Sequence, residues 1–166
     1  MLYTGIDIIE ISRIQHAVER WNERFLHRVF THGELLDSGF AQSEHRNYAS
    51  LAARWAAKEA AAKMLGVGLR GLGGSKAEGE DWNWAGNEAA KTFLKQPKLA
   101  SVAKTGVGWT EIEVARGVLG RPFLRLYGAA EQAAMVLSLR ECAVSLSHSR
   151  DYAVASVVGI GVVPGS

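Results

Sequence analysis

The chain carries a single cysteine, Cys142, in 166 residues. No disulfide can form within it, so the fold must rest on packing, and a reducing cytoplasm is the expected compartment. Cys142 lies in the apolar run CAVSL and reads as a small core residue. Long apolar runs are missing as well. The longest, Tyr152–Val163, is about half of a membrane span, so no membrane segment is expected. The opening residues MLYTGIDIIEI lack a basic cluster and contain Asp7 and Glu10, unlike a secretory signal. There is no internal repeat, no low-complexity tract and no basic tail. Neither sign of charge dominates. The 19 Lys and Arg against 17 Asp and Glu leave +2, which permits an acidic partner without demanding one.

What is present is a core. Hydrophobic residues make up 48% of the chain, and its length suits one domain. Residues 2–11 are Ile-rich and read as a strand. A helix is expected from Ser12 to about Phe30, then a polar segment over residues 31–43. A second helix runs from about Glu44 to Leu65 and is stopped by Gly66 and Gly68. Residues 70–108 open with RGLGGSKAEGED, close with KTGVG and contain Pro97. They read as an insertion on the domain surface rather than a second domain. WTEIEVARG and FLRLYG are expected strands joined by the turn LGRP. AAEQAAMVLSL is helical in composition, and CAVSLSHS and YAVASVVGIGVV are strands flanking a polar turn. The order β-α-α-β-β-α-β-β predicts a single α+β domain over residues 1–166, with mostly antiparallel strands packed against helices.

Two carboxylates stand out. At 100° per residue, Tyr48, Ala52, Trp55, Ala56, Glu59 and Lys63 fall within about 60° of one line on the second helix. That stripe is aromatic and small except for Glu59 and Lys63. A solvated i,i+4 pair worth a few tenths of a kcal/mol would explain them blandly. On the first strand, Tyr3, Gly5, Asp7, Ile9 and Ile11 share a face, which places Asp7 among apolar neighbours. Its bland reading is a turn or edge residue, since a lone carboxylate there is costly to ionise. A shared explanation for both is a hard divalent cation. Mg²⁺ takes one or two carboxylates together with phosphates and waters. Lys63, one turn beyond Glu59, would then meet phosphate charge. His148 sits where an alternating strand breaks into a turn, with Ser145 and Ser147 beside it in sequence. It is a structural histidine or a contact for phosphate or a leaving group.

Together the segments GIDIIEISRI, RWAAKEAAAKMLGVG, WTEIEV, GRP and SLSHSRDYAVASVV resemble, in this order, the small holo-[acyl-carrier-protein] synthases of the 4'-phosphopantetheinyl transferase family. The resemblance covers residues 1–69 and 109–158. The departure is residues 70–108, where the small members have a short connection. The resemblance implies an α+β fold, a homotrimer with sites between subunits, and a Mg²⁺-dependent reaction. In that reaction a serine of an apo acyl carrier protein attacks coenzyme A, takes up 4'-phosphopantetheine and releases 3',5'-ADP. It implies Asp7 and Glu59 as Mg²⁺ ligands and Lys63 as a contact of the coenzyme A phosphates. Gly66, Val67 and Gly68, and likewise Gly120, Arg121 and Pro122, are implied as segments along coenzyme A, with Ser147 and His148 near its phosphates. The general base is left open between Glu59, acting through a bound water, and His148.

A partner face is legible independently. If residues 13–28 are one helix, Arg13, His16, Arg20, Arg24, His27 and Arg28 line one side, opposite Ile14, Val18, Trp21, Phe25 and Val29. Such a stripe is a solvated face or a dock for an acidic protein. The resemblance implies Arg13, Arg24 and Arg28 as contacts of the carrier protein. The competing reading is a non-catalytic module whose basic helix binds an acidic protein. Nucleic acid is not expected, since basic and aromatic residues do not interleave beyond this helix. The carrier, of fatty-acid or polyketide type, is not named by the sequence.

Overall fold

A computed structural model describes residues 1–41, 46–69, 102 and 104–162. The elements in chain order are β1 (Leu2–Glu10), α1 (Ile11–Trp21), α2 (Glu23–Val29), α3 (His32–Asp37), α4 (Tyr48–Leu65), β2 (Ile112–Arg116), β3 (Pro122–Leu126), α5 (Gly128–Val136), β4 (Leu139–His148) and β5 (Tyr152–Gly161). β1, β5 and β4 form an antiparallel sheet in that order, and β2 and β3 form a separate hairpin. This is the expected α+β architecture with antiparallel pairing.

The centre is α4. Ala supplies high helix propensity at low side-chain entropy, Asn47 accepts a hydrogen bond from the Ser50 amide at the N-terminus, and Gly66 closes the helix in the left-handed conformation at φ 69°. Its small side chains let it bury almost all round, and Leu51, Ala52, Ala56, Ala57, Ala60, Ala61 and Leu65 are fully enclosed. Gly5 explains how α4 lies against β1. A Cβ at that position would fall 1.9 Å from the Ala60 carbonyl oxygen, so only glycine permits the approach. Alternation along β1 then turns Tyr3, Gly5, Asp7 and Ile9 toward the helix, and Leu2, Ile6 and Ile8 away from it.

Several local expectations are corrected. The helix expected over 12–30 is two helices, and it begins at Ile11, which was expected on the strand. Asn22 breaks it at φ 42°, a conformation Asn tolerates better than most residues. A single wheel over residues 13–28 therefore does not hold, and Trp21, expected in the core, is half exposed beneath the Arg20 guanidinium. The polar segment 31–43 contains α3, nucleated by a capping box between Thr31 and Glu34. The second helix begins at Tyr48 rather than Glu44, which lies outside the described residues, because Asn47 is its extended N-cap. Trp109–Glu111 is a 3-10 turn preceding the strand, not part of it. The helix of AAEQAAMVLSL ends at Val136, before Ser138 turns the chain at φ 49°.

Most of the segment 70–108 lies outside the described residues. Its described end is packed rather than superficial: Val102 and Val107 belong to the core, and Val107 bridges Leu69 in parallel, its amide donating to the Gly68 carbonyl at 2.8 Å. Among the described residues, no helix is long and apolar enough to cross a membrane.

Candidate active site

The faces of β1 and α4 bring Asp7, Glu59 and Lys63 together. Lys63 Nζ donates to Asp7 Oδ1 at 2.8 Å and to the Ile6 carbonyl at 3.0 Å. It remains half exposed, so the ammonium is held over the carboxylate while facing outward. Glu59 is half-buried. Burial pushes its carboxyl above the ordinary range, the neighbouring charge of Asp7 pushes it the same way, and Lys63 opposes both. This is a concentrated site with two carboxylates and one ammonium at the open end of an otherwise enclosed helix. The bland reading of Glu59 and Lys63 as a solvated pair does not fit, since the partner of Lys63 is Asp7, 56 positions away.

Gly66, Val67 and Gly68 continue from this end of α4. A Cβ at Gly66 or Gly68 would meet nothing within 4 Å, so their backbone borders open space. This is the segment a ligand lying past Lys63 would meet first.

The remaining carried-over residues lie elsewhere in the chain. His148 ends β4 opposite Ala153, which pairs with Ile9, whereas Asp7 pairs with Ala155. The two therefore share the helix-covered face of the sheet but sit two strands and two residues apart, roughly 12 Å between Cα atoms from strand spacing and rise. Ser147 and Ser145 alternate to the opposite face, so they do not reach His148 as lateral partners. Gly120, Arg121 and Pro122 lie at the turn of the β2–β3 hairpin, whose β3 strand packs beside β4. Gly120 at φ 75° follows Leu119 at φ 62°, and the Gly117 amide donates to the Arg121 carbonyl at 2.8 Å to close the turn. Arg13 on α1, and Arg24 and Arg28 on α2, are exposed. A separate open groove of about 310 Å³ lies between the start of α1 and the β4–β5 turn, lined by Glu10, Ser12, Gln15, Arg150 and Tyr152 among others, and includes none of the carried-over residues.

A polar cluster that the sequence pattern did not single out underlies α4. Lys58 and Glu34 are both fully buried and form a 2.8 Å ion pair. Lys58, next to Glu59 in sequence, was hidden in an Ala-rich stretch, and only its enclosure marks it.

Residues 3–102 match the 4'-phosphopantetheinyl transferase superfamily. A holo-[acyl-carrier-protein] synthase from Herpetosiphon aurantiacus is 47% identical over 161 residues, covering 97% of this chain and 100% of the relative. One from Chloroflexus aurantiacus is 45% identical, covering 95% of this chain and 97% of the relative. With that coverage, the segment 70–108 falls largely within the matched span. Among solved structures, a holo-(acyl-carrier-protein) synthase from Bacillus anthracis in complex with CoA (3',5'-ADP) is similar with a TM-score of 0.60 and 26% identity, over 96% of both chains. The synthase from Neisseria meningitidis has the same fold, with a TM-score of 0.65 at 24% identity over 95% of this chain and 97% of that one. By its match over more than half its length and by these relatives, the chain belongs to the 4'-phosphopantetheinyl transferase superfamily.

Proposed function

We propose that Asp7, Glu59 and Lys63 form the centre at which this protein, acting as a holo-[acyl-carrier-protein] synthase, transfers 4'-phosphopantetheine from coenzyme A to an acyl carrier protein. The oxygen of a carrier serine attacks the phosphorus that bears pantetheine. The bond from that phosphorus to the oxygen of the adenosine 3',5'-bisphosphate half breaks, the hydroxyl proton is lost, and 3',5'-ADP leaves. Such a transfer needs positioning and charge neutralisation more than covalent catalysis.

The observation that carries this reading is the convergence of Asp7, Glu59 and Lys63 on one open edge. Two adjacent carboxylates, one with its proton affinity raised by burial and by the other, make a donor set suited to a hard divalent cation. Asp7 and Glu59 would hold Mg²⁺, which leaves most of its coordination to phosphates and waters. When bound, the ion supplies charge neutralisation at the pyrophosphate. Lys63, already held at this edge by Asp7, offers its ammonium to the diphosphate. Gly66, Val67 and Gly68 let the backbone approach coenzyme A closely. Gly120, Arg121, Pro122, Ser147 and His148 are assigned to coenzyme A as well. The offset of His148 from Asp7 by two strands within one chain supports a homotrimer in which neighbouring subunits complete each site. The outward face of the sheet, where Leu2, Ile6, Ile8, Val158 and Ile160 are exposed, is the apolar surface suited to that assembly.

Arg13, Arg24 and Arg28 are assigned to the acidic carrier protein. The half-buried free thiol of Cys142 accords with a reducing cytoplasm. Residues 1–166 form one domain with an insertion at about 70–108. That insertion leaves and returns at one place, since Leu69 and Val107 meet. The experiment is intact-mass measurement of an apo carrier incubated with the protein, coenzyme A and Mg²⁺. A phosphopantetheine adduct that disappears with EDTA and with Glu59→Gln is expected. No adduct on any of several fatty-acid and polyketide carriers would reject the reading.

A further inference from the structure

The Lys58 ammonium makes three polar contacts, lies 5.9 Å from the centre of the Phe30 ring and has no solvent exposure. It pairs with Glu34 Oε2 at 2.8 Å, donates to the Trp109 carbonyl at 2.9 Å and donates to the Ile112 carbonyl. Glu34 is also fully used. Its Oε1 accepts the Val114 amide at 2.9 Å and its Oε2 accepts the Thr31 amide at 2.8 Å. Val114 and Ile112 belong to β2, whose other edge pairs with β3. Among the described residues, the free edge of the hairpin is thus tied not to a third strand but to the ion pair linking α3 and α4. A second tie lies further along: Asp37 receives Arg54 of α4 at 3.2 Å and lies 3.9 Å from Arg116 at the end of β2. A buried ion pair is weak evidence of stabilisation, because desolvation offsets much of its attraction. Its specific effect is to fix which backbone atoms meet.

We propose that Lys58 and Glu34 are positioning residues that set the β2–β3 hairpin, and with it the Gly120–Arg121–Pro122 loop, relative to α3 and α4. This rests on the reading that the loop contacts coenzyme A. Lys58 touches no substrate. It acts through the Trp109 and Ile112 carbonyls at the root of the hairpin, and Glu34 acts through the Val114 amide. Neutralising both partners with side chains of similar size leaves the packing but removes the geometric constraint.

The test uses the full-length protein with coenzyme A and an apo carrier. Lys58→Met with Glu34→Gln is expected to melt cooperatively and to raise KM for coenzyme A by about tenfold, as a small misplacement of a binding group does. KM for the carrier and the Mg²⁺ concentration for half-maximal rate should stay within twofold of the parent. Glu34→Asp, which keeps the counter-charge of Lys58 but withdraws the carboxylate from the Val114 amide, is the milder change. It should raise KM for coenzyme A several-fold and speed hydrogen exchange at Val114 but not along β5. It decides the matter if the double variant does not fold. Arg121→Ala separates the two readings. An unchanged KM for coenzyme A in that variant overturns the loop assignment and this inference with it. A raised KM there, with unchanged KM in Glu34→Asp, overturns this inference alone.

Discussion

Lys63 Nζ lies 2.8 Å from Asp7 Oδ1, joining the last turn of α4 to the middle of β1 across 56 positions of sequence. The contact depends on Gly5, which lets the helix descend onto the strand. Charge on this edge is therefore organised by backbone packing before any ligand arrives.

If Asp7 and Glu59 hold the cation, their charge matters more than their shape. Asp7→Ala and Glu59→Gln should each lower kcat by about 10²-fold or more, the scale of removing one electrostatic contact to a transition state. Assays at millimolar Mg²⁺ settle this. Near-parental turnover by Glu59→Gln would reject the ligand assignment.

The exposed arginines and Lys63 should separate in kinetics. Arg24→Glu with Arg28→Glu is expected to raise KM for the carrier at low salt, an effect that shrinks as salt screens it, while KM for coenzyme A stays put. Lys63→Ala should do the opposite, weakening coenzyme A or turnover and sparing the carrier. Separate titrations of the two substrates check both. An unchanged carrier KM in the double reversal at low salt means the carrier docks elsewhere.

Gly5 and Gly68 should differ sharply in stability. Gly5→Ala must push α4 away from β1 and is expected to cost at least about 3 kcal/mol, the upper end of overpacking penalties. Gly68→Ala meets no atom within 4 Å and should fall within about 0.5 kcal/mol of the parent. Urea unfolding compares them, and a Gly5→Ala variant as stable as Gly68→Ala would contradict the close approach.

Glu113 offers a pH test away from the site. Burial alone would raise its carboxyl, but hydrogen bonds from Tyr127 at 2.7 Å and Thr31 at 2.9 Å, with the charges of Arg125 and Lys58, hold it below the ordinary range. A depressed carboxyl stabilises the fold fully above the unfolded value of about 4.5 and loses that contribution as pH falls through the folded value. Glu113→Gln should therefore cost about 1–2 kcal/mol at pH 7. The gap to the parent should narrow below pH 4.5, read from denaturation midpoints across pH. A gap independent of pH would show that the loss is of shape rather than charge.

The sequence by itself determined the α+β class, the placing of Asp7 and Glu59 each on an otherwise apolar face, and the helix stop at Gly66, because these follow from local periodicity and glycine chemistry. Asp7 was visible as a carboxylate on an apolar strand face, and Glu59 and Lys63 as intruders on a small-residue stripe. Local pattern could not tell that Asn22 would break one helix into two, since Asn is tolerated within helices as well as at breaks. Nor could it show that Trp21 is exposed or that Lys58 is enclosed, because Lys58 looks like any surface lysine until Glu34, Trp109 and Ile112 surround it. Tertiary packing alone decided that Lys63 would meet Asp7, and that α4 would cover the face of β4 that carries His148 rather than the one that carries Ser147. These relationships join residues far apart in sequence or fix strand register, and both depend on which surfaces pack rather than on any local preference.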